Sequence, residues 1–330
     1  MKVAILGATG AVGREFIKVL AERNFPLDEL VLLASPRSVG KRLPFKDTEV
    51  EVRLADKSAF AGCDIVLGAV EAEISRELSP YAVEAGAVVI DNSSAFRLEK
   101  DVPLVVPEVN VEDVKWHKGI IANPNCSTII AAVAVNPIHK RSPLTRMVAS
   151  TYQAVSGAGA GGITELEAQM KALYEGAPLE KSVFPYQIAY NLIPQIGGFD
   201  EGGHTSEEMK LQNEGRKILH CPTLAVACTC VRVPVMRSHS ISIYIETENP
   251  VSAPDAKAAV AAAPGCRLVD EPAEKRYPMP LDTSDQDLVF VGRIRSDLSS
   301  EKGGLALWCC GDQIRKGAAT NAIQIAEALL

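Results

Sequence analysis

The chain has 330 residues, of which 47% are hydrophobic, 23% charged and 5% aromatic, and its formal net charge is −7. This composition predicts a globular α/β protein of two domains, and the negative charge argues against a nucleic acid or an anionic membrane surface as a partner. Because no apolar run spans a bilayer, no signal peptide is apparent and the eight cysteines lack zinc-site spacing, we expect a cytoplasmic protein with reduced thiols and no metal.

The first predicted elements are a strand, a glycine turn and a helix. Residues 2–6 are an apolar run, residues 7–13 contain three glycines, and residues 14–23 are helix-like. Such a turn lets backbone N–H groups approach a pyrophosphate at the helix N-terminus, although it could also be a purely structural turn. The residues predicted to bind a dinucleotide are Gly7, Thr9, Gly10, Ala11, Val12 and Gly13.

The second predicted strand, residues 30–34, favours NADP over NAD. An NAD site usually has an acidic residue near the end of this strand to hold the ribose 2′-hydroxyl, and none is present. Ser35, Arg37 and Ser38 follow instead, and Arg37 is the best candidate to bind a 2′-phosphate. Lys41 and Arg42 are better explained as a solvated basic loop.

The next elements alternate between strand and helix, which predicts a parallel, doubly wound sheet. Strands are predicted over residues 65–69, 88–91 and 119–122, with a helix over residues 74–85. Ligands in such sheets gather at the carboxyl ends of the strands, where the glycine turn, residues 92–97 and Cys126 all fall.

Cys126 lies in the segment Asn-Pro-Asn-Cys-Ser-Thr, at the start of a predicted helix over residues 127–135. The partial positive charge of a helix N-terminus favours the thiolate, which is the nucleophilic form of cysteine. The alternative is a small buried hydrophobic residue. The position predicts a thiol directed toward the cofactor.

The pattern changes after about residue 143, where the second domain is predicted. A strand over residues 147–153 leads to a glycine-rich loop at residues 156–162, which could be a linker or a lid over the cofactor, and then to a helix over residues 164–174. A second helix runs from Thr205 to about residue 219. Thr205 and Glu208 have capping-box spacing, which gives Glu208 a structural role. Glu207 and Lys210 are three residues apart and so lie on one helical face, where a solvent-exposed ion pair is the simplest interpretation.

The last predicted strands carry two polar residues of interest. In residues 224–233 apolar residues occupy both faces, so Arg232 interrupts a buried strand and needs an anionic partner. His239 begins a strand whose one face carries Ile241, Ile243 and Ile245, and it could equally be a core histidine. Residues 313–330 are predicted to form a helix that packs back onto the first domain.

Together these motifs resemble the aspartate-semialdehyde dehydrogenase family, in family order and spacing along the whole chain, with its bacterial branch most similar. The motifs are residues 7–13, 93–97, 123–128, 153–159, 207–210 and 232–239. The resemblance implies an α/β fold with a Rossmann-like, doubly wound parallel sheet and an α+β catalytic and dimerisation domain like that of glyceraldehyde-3-phosphate dehydrogenase. The implied domains are residues 1–127, completed by residues 313–330, and residues 128–312.

The resemblance also implies an activity: NADP-dependent, reversible conversion of 4-phospho-L-aspartate into L-aspartate 4-semialdehyde and phosphate, in lysine, threonine, methionine and isoleucine biosynthesis, by a homodimer. By the same resemblance, Cys126 is the nucleophile and His239 the general acid/base. The implied substrate-binding residues are Arg97, Asn125, Gln153, Glu207, Lys210 and Arg232. Further implied cofactor-binding residues are Ser156, Gly157 and Gln313.

The residues suit a thioester mechanism. The Cys126 thiolate attacks the aldehyde, and His239 takes the hydroxyl proton as hydride leaves for the nicotinamide, which leaves a thioester on Cys126. Phosphate, held by Arg97 and Lys210 as the resemblance implies, then attacks the thioester and releases the acyl phosphate. One rival is an N-acetyl-γ-glutamyl-phosphate reductase, which shares this chemistry but acts on an acylated amine, whereas Glu207 suits a free ammonium. The other rival is a catalytically silent NADP-binding regulatory protein.

Overall fold

The structure is a computed structural model that describes all residues, 1–330. The chain divides into two compact units. Met1–Asn125 and Ala318–Leu330 form the first unit, and Cys126–Gly317 form the second. The chain therefore passes from the first unit to the second immediately before the cysteine that the sequence singles out.

The first unit contains one seven-stranded sheet. Its strands are β1 (Lys2–Leu6), β2 (Glu29–Ala34), β3 (Arg42–Phe45), β4 (Thr48–Leu54), β5 (Ile65–Gly68), β6 (Val88–Asp91) and β7 (Ile120–Ala122). The order is β3-β4-β2-β1-β5-β6-β7, and only the β3–β4 pair is antiparallel. Because β1 lies between β2 and β5, the order reverses there, and such a switch point is the usual ligand crevice of a doubly wound sheet.

The helices of the first unit are α1 (Ala11–Glu22), α2 (Ala72–Glu84), α3 (Pro107–Asn110) and the last helix of the chain, α9 (Thr320–Glu327). Phe16 and Leu20 of α1 and Ile323 of α9 are fully buried in one hydrophobic cluster with the inner residues of β1 and β2. The Arg23 guanidinium also binds the Glu327 carboxylate with two hydrogen bonds. The C-terminus therefore completes the core of the first unit.

The second unit contains a six-stranded mixed sheet. Its strands are β8 (Leu144–Gln153), β9 (Ala225–Arg232), β10 (His239–Thr247), β11 (Cys266–Leu268), β12 (Val289–Ser296) and β13 (Leu305–Gly311). The order is β11-β12-β13-β10-β8-β9. Strand β10 is central and antiparallel to β8 and β13, and β8 is parallel to β9, so Gln153 pairs with Arg232 at the ends of adjacent strands.

The helices of the second unit are α4 (Cys126–His139), α5 (Ala160–Glu175), α6 (Ser206–Ile218), α7 (Ala253–Ala262) and α8 (Pro280–Thr283). Residues 127–138 of α4 are all buried, as the apolar, small-residue sequence predicts. No helix is long and apolar enough to cross a membrane. All eight cysteines are free thiols.

Four details differ from the predictions. Strand β9 lies at the sheet edge, and one of its faces is exposed at Ala225, Ala227 and Thr229. Arg42 begins β3 and does not lie in a loop. The predicted glycine-rich loop is mostly helical, because residues 155–158 form a 3-10 turn and α5 begins at residue 160. The C-terminal helix is not α-helical throughout, because the Asp312 carboxylate caps its start by binding the N–H groups of residues 314 and 315 and a π-helical turn at Arg315–Ala319 precedes α9.

Candidate active site

The glycine turn after β1 has the geometry of a dinucleotide loop. Gly7 has a φ of +89°, and an added Cβ there would lie 2.3 Å from the Ala69 carbonyl oxygen, so only glycine fits. Gly10 caps α1 without a side-chain hydrogen bond, which leaves the N–H groups of the first turn available to a ligand. These donors at a helix N-terminus fit a pyrophosphate.

The loop after β2 supplies hydroxyl and guanidinium groups. Residues 36–38 form a 3-10 turn, and the Ser38 hydroxyl lies 3.4 Å from the Thr9 hydroxyl of the glycine turn. Arg37 is exposed on the same turn, and strand β2 ends in Ala34 without an acidic residue. The donor set therefore fits the 2′-phosphate of NADP better than the free hydroxyl of NAD.

Arg97 is held by the backbone of the first unit. Its Nε donates to the Asn123 carbonyl at 3.0 Å and its Nη2 to the Asn92 carbonyl at 2.7 Å. The loop that carries it is anchored by the buried Asp91 carboxylate, which accepts hydrogen bonds from the hydroxyls of Ser75 and Ser93. Asn125, the last residue of the first unit, is also buried.

In the second unit, Cys126 is the first residue of α4, as predicted. Its Sγ lies 3.5 Å from Nε2 of His239. Its Cα and Cβ lie against Gly317, where an added Cβ would come within 2.9 Å of the cysteine Cβ. Cys126 is therefore held against a neighbour that must lack a side chain.

His239 begins β10 and is fully buried, while Ile241, Ile243 and Ile245 continue its strand face into the core. Its Nδ1 accepts a hydrogen bond from the Ala154 backbone N–H at 3.1 Å. Burial, followed by the positive charge of Arg232, lowers the pKa of the imidazole to about 3, against an opposing effect of Glu207. The ring is therefore neutral at physiological pH.

Arg232 ends β9 and is 6% exposed. Its Nη1 donates to the Ala154 carbonyl at 2.6 Å. The backbone of Ala154 therefore forms hydrogen bonds with both Arg232 and His239. Burial lowers the pKa of the guanidinium, while the negative charges of Cys126 and Glu207 raise it. Arg232 also lines a cavity of about 220 Å³ with Phe184 and Gly197. A buried, permanent cation beside a cavity can bind a carboxylate.

Glu207 and Lys210 form the predicted pair on α6, but the pair is not on a solvent-exposed face. The capping box of Thr205 and Glu208 is present, and Glu207 lies in the first turn with 7% exposure. Its carboxylate accepts from Nζ of Lys210 at 2.9 Å and from the Gln153 side-chain amide at 3.2 Å. A buried carboxylate of this kind can bind an ammonium group.

The three remaining predicted cofactor residues lie in the second unit. The Gln313 side chain donates to the Ser156 hydroxyl and accepts from the Ser238 backbone N–H at 2.9 Å. Gly157 lies over the Arg232 and His239 side chains, because an added Cβ would be 2.8 Å from Nη1 of Arg232 and 3.1 Å from Cε1 of His239. Gln313 therefore ties the 155–158 turn, through Ser156, to the backbone of Ser238.

The structure thus brings together six predicted residues of the second unit: Cys126, Gln153, Glu207, Lys210, Arg232 and His239. Ala154 and Gly317 are not among the residues predicted from the sequence. Ala154 acts through its backbone, which carries no side-chain signal, and Gly317 acts by lacking a Cβ beside Cys126. The cluster can supply a nucleophile, a polar group beside it, and sites for a carboxylate and an ammonium.

Gly157→Ala should disturb this cluster without removing any functional group. The added methyl would displace the Arg232 guanidinium or the His239 ring, and a misplacement of about 1 Å can cost about 100-fold in rate. We expect kcat to fall by about 10- to 100-fold in steady-state assays. Gly215→Ala is the control, since nothing lies within 4 Å of the added Cβ. Equal kcat values for the two variants would contradict the assigned role of Gly157.

Comparison with known proteins identifies relatives that match this chain over its full length. The family model of the semialdehyde dehydrogenase NAD binding domain matches residues 2–117, and that of the semialdehyde dehydrogenase dimerisation domain matches residues 135–316. An aspartate-semialdehyde dehydrogenase from Aquifex aeolicus is 54% identical, with 100% of this chain and 98% of the relative covered.

Solved structures agree with these matches. Aspartate semialdehyde dehydrogenase II from Vibrio cholerae, complexed with ASA, has a TM-score of 0.97 and 45% identity, covering 99% of this chain and 97% of the other. The aspartate semialdehyde dehydrogenase from Candida albicans, in a structure with NADP, has a TM-score of 0.77 and 27% identity, covering 99% and 98%.

Proposed function

The chain belongs to the aspartate-semialdehyde dehydrogenase family, and from this premise we propose that it converts 4-phospho-L-aspartate reversibly into L-aspartate 4-semialdehyde and phosphate through a thioester on Cys126. The observation that carries this proposal is the Cys126–His239 contact of 3.5 Å beside the buried Arg232 and Glu207. A nucleophile beside sites for a carboxylate and an ammonium matches an aspartyl group, which carries its α-carboxylate and α-ammonium on one carbon and its reacting acyl carbon at the other end.

We propose that Cys126 reacts as the thiolate. The N-terminus of α4 and the Arg232 guanidinium both favour negative charge on its sulfur. In the reductive direction the sulfur attacks the acyl carbon, the bond between that carbon and the phosphate oxygen breaks, and phosphate leaves with the electron pair. His239, whose Nε2 faces the sulfur, is the proposed acid/base partner.

Substrate recognition is proposed to use the opposite charges of the α-carboxylate and the α-ammonium, which one carbon of the substrate carries. Arg232 would bind the α-carboxylate and Glu207 the ammonium, while Gln153, which already donates to Glu207, would orient the substrate. Arg97 and Lys210 are proposed to bind phosphate, and Asn125 to lie beside the reacting oxygen. The substrate ammonium would replace Lys210 as a partner of Glu207, which frees the lysine for phosphate.

NADP is the proposed cofactor, held by the glycine turn at residues 7–13 and by Ser35, Arg37 and Ser38, with Ser156, Gly157 and Gln313 as further contacts. When bound, the nicotinamide supplies or accepts the hydride. The absence of an acidic residue at the end of β2 supports NADP over NAD. The similar Candida albicans enzyme was also solved with NADP.

Arg37→Ala should weaken NADP selectively. Arg37 is exposed on the turn after β2, where its guanidinium can form charge-assisted hydrogen bonds to a 2′-phosphate that NAD lacks. We expect KM for NADP to rise by about tenfold or more while KM for NAD changes little. Lys41→Ala, on the neighbouring solvated segment, is the control. An equal change for both cofactors in Arg37→Ala would contradict the 2′-phosphate contact.

The test of the activity is phosphate-dependent reduction of NADP with L-aspartate 4-semialdehyde. We expect turnover with the free amine and none with N-acetyl-L-glutamate 5-semialdehyde, because an acylated nitrogen carries no charge for Glu207. Turnover only with the acylated compound would select the reductase alternative. Binding of NADP without turnover of either aldehyde would select the silent regulatory protein.

We also propose a homodimer that serves lysine, threonine, methionine and isoleucine biosynthesis. One face of the six-stranded sheet carries an apolar patch of Val148, Tyr152, Tyr244 and Trp308 that the second unit itself leaves partly exposed, and the Tyr152 and Trp308 rings lie 5.4 Å apart. Such a patch suits a second copy of the chain. Tyr244→Glu should shift the sedimentation coefficient to that of a monomer, and an unchanged coefficient would contradict this interface.

A further inference from the structure

The connection between α5 and α6, residues 176–205, contains no helix or strand, yet part of it is buried. Ile188 and Ala189 are fully buried, and Phe184 is 8% exposed. The backbone N–H groups of such a segment have no helical or sheet partner, and a buried N–H group without a hydrogen bond is costly. Side chains from another element therefore have to supply the acceptors.

Glu165 of α5 binds the start of this segment. The side chain is buried, and its Oε2 accepts from the Ser182 N–H at 2.9 Å, from the Ser182 hydroxyl at 3.0 Å and from the Val183 N–H. Burial raises the pKa of this carboxyl, but the hydrogen bonds from residues 182–184 outweigh burial and lower it. Glu165 is therefore a buried carboxylate anion, and the proposed mechanism gives it no role.

Gln169, one helical turn after Glu165, binds the segment further along. Its Oε1 accepts from the N–H groups of Ile188 and Ala189 at 2.9 and 3.1 Å. Its Nε2 donates to the Glu180 carbonyl at 3.0 Å and to Oε1 of Glu165 at 3.0 Å. Both carboxylate oxygens of Glu165 therefore accept hydrogen bonds. We call Glu165 and Gln169 together the α5 clamp.

The clamped segment brings Phe184 to the side chain of Arg232. The centroid of the Phe184 ring lies 5.9 Å from Cζ of Arg232, and both residues line the cavity of about 220 Å³. On its other side the ring packs on α5, because an added Cβ on Gly162 would lie 3.2 Å from Cζ of Phe184. Further along the segment, the backbones of Ile193 and Arg232 form two hydrogen bonds, at 2.8 and 3.0 Å. The segment thus contacts both the side chain and the backbone of Arg232.

We propose that the α5 clamp sets the orientation of the Arg232 guanidinium through Phe184, which makes Glu165 and Phe184 positioning residues for the substrate α-carboxylate. An aromatic ring attracts the face of a guanidinium, whereas a carboxylate binds the N–H groups at its edge. Phe184 can therefore fix the plane of the guanidinium without competing with the substrate. This inference rests on the proposed function, in which Arg232 binds that carboxylate.

Glu165→Gln tests the clamp with a side chain of the same shape. Both oxygens of Glu165 face donors, so the amide nitrogen of a glutamine would face a donor in either orientation. We expect KM for L-aspartate 4-semialdehyde to rise by about tenfold or more while kcat changes little, because the loss is in carboxylate binding. Glu167→Gln, at an exposed position of the same helix, is the matched control. The same KM in both variants, or a loss confined to kcat, would overturn the proposal.

Phe184→Leu tests the contact with Arg232 and does not depend on the folding of Glu165→Gln. Leucine keeps an apolar contact with α5 but removes the ring, so KM should rise by about 2- to 30-fold, the range of a cation–π contact. If the clamp acts through Phe184, adding Glu165→Gln to Phe184→Leu should raise KM by less than Glu165→Gln does alone. Additive effects, or an unchanged KM in Phe184→Leu, would overturn the link between the clamp and Arg232.

Hydrogen exchange in the resting protein gives a readout that does not depend on turnover. Deuterium uptake by a peptide covering residues 182–189 should be faster in Glu165→Gln than in Glu167→Gln, because the N–H groups of Ser182 and Val183 lose their acceptor. Equal uptake would overturn the clamp. If the unmodified chain turns over neither aldehyde, the proposed function fails, and the positioning role fails with it. If the unmodified chain turns over L-aspartate 4-semialdehyde and Glu165→Gln behaves like the control, this inference alone fails.

Discussion

Cys126→Ala is expected to abolish phosphate-dependent reduction of NADP with L-aspartate 4-semialdehyde. Without the thiolate no covalent intermediate forms, and removal of a catalytic nucleophile can cost about 10⁶-fold in kcat. We expect a loss of about 10⁴-fold or more in the initial rate. Because the alanine keeps the backbone and Cβ that contact Gly317, the melting temperature should change little.

Cys266→Ala is the matched control for this prediction. It removes another half-buried thiol of the same unit, which donates to the Val133 carbonyl on the same helix as Cys126. Its rate should remain close to that of the unmodified chain. Mass spectrometry after incubation with substrate should detect an acyl adduct in the control and none in Cys126→Ala. Substantial turnover by Cys126→Ala would contradict the thioester mechanism.

Arg232→Met is expected to cause the second largest loss, mainly in substrate binding. The guanidinium is buried beside the cavity next to Phe184, and a substrate carboxylate placed there would be left without its cation. Truncating one partner of a buried charge pair costs about 2 to 5 kcal/mol, so kcat/KM should fall by about 30- to 4,000-fold. Arg232→Lys should recover only part of the loss, because an ammonium cannot form the two parallel hydrogen bonds of a guanidinium.

Thermal stability distinguishes a binding role of Arg232 from a structural one. Its pKa is lowered by burial, which means that the folded chain bears a desolvation cost for this charge. Arg232→Met also removes the donor to the Ala154 carbonyl and a charge that compensates Glu207, so the melting temperature should fall, but by less than the loss of kcat/KM would require if it came from unfolding. Arg295→Met, at an exposed position of β12, is the control and should leave kcat/KM unchanged. A large fall in melting temperature with unchanged kcat/KM would show that Arg232 is structural.

Much of the fold follows from local sequence patterns. The alternating strands and helices of the first unit were predictable within three residues, because short apolar runs and glycine turns are local signals. The strands β3, β4 and β11 were not predicted, since their sequences are polar or short, and neither were the longer strands β12 and β13. The exposed face of β9 also escaped prediction, because the sequence of a strand does not reveal what covers each of its faces.

The candidate site shows the same division. Side chains with a characteristic chemistry, such as Cys126, Arg232 and His239, can be selected from motifs. The burial of Glu207 could not be predicted, because the periodicity of α6 gives the face of a residue but not what covers that face. Ala154 and Gly317 could not be selected either, since one acts through its backbone and the other through an absent side chain.

The sequence by itself determined the family, the parallel sheet of the first unit, and the thiol at the start of α4 as the candidate nucleophile. Only the tertiary structure decided what surrounds that thiol: a neutral histidine bound through Nδ1 to Ala154, a buried guanidinium, and a carboxylate shared by Lys210 and Gln153. The physical reason is that burial and hydrogen-bond direction, which set protonation states, arise from residues distant in sequence and become defined only when the chain packs.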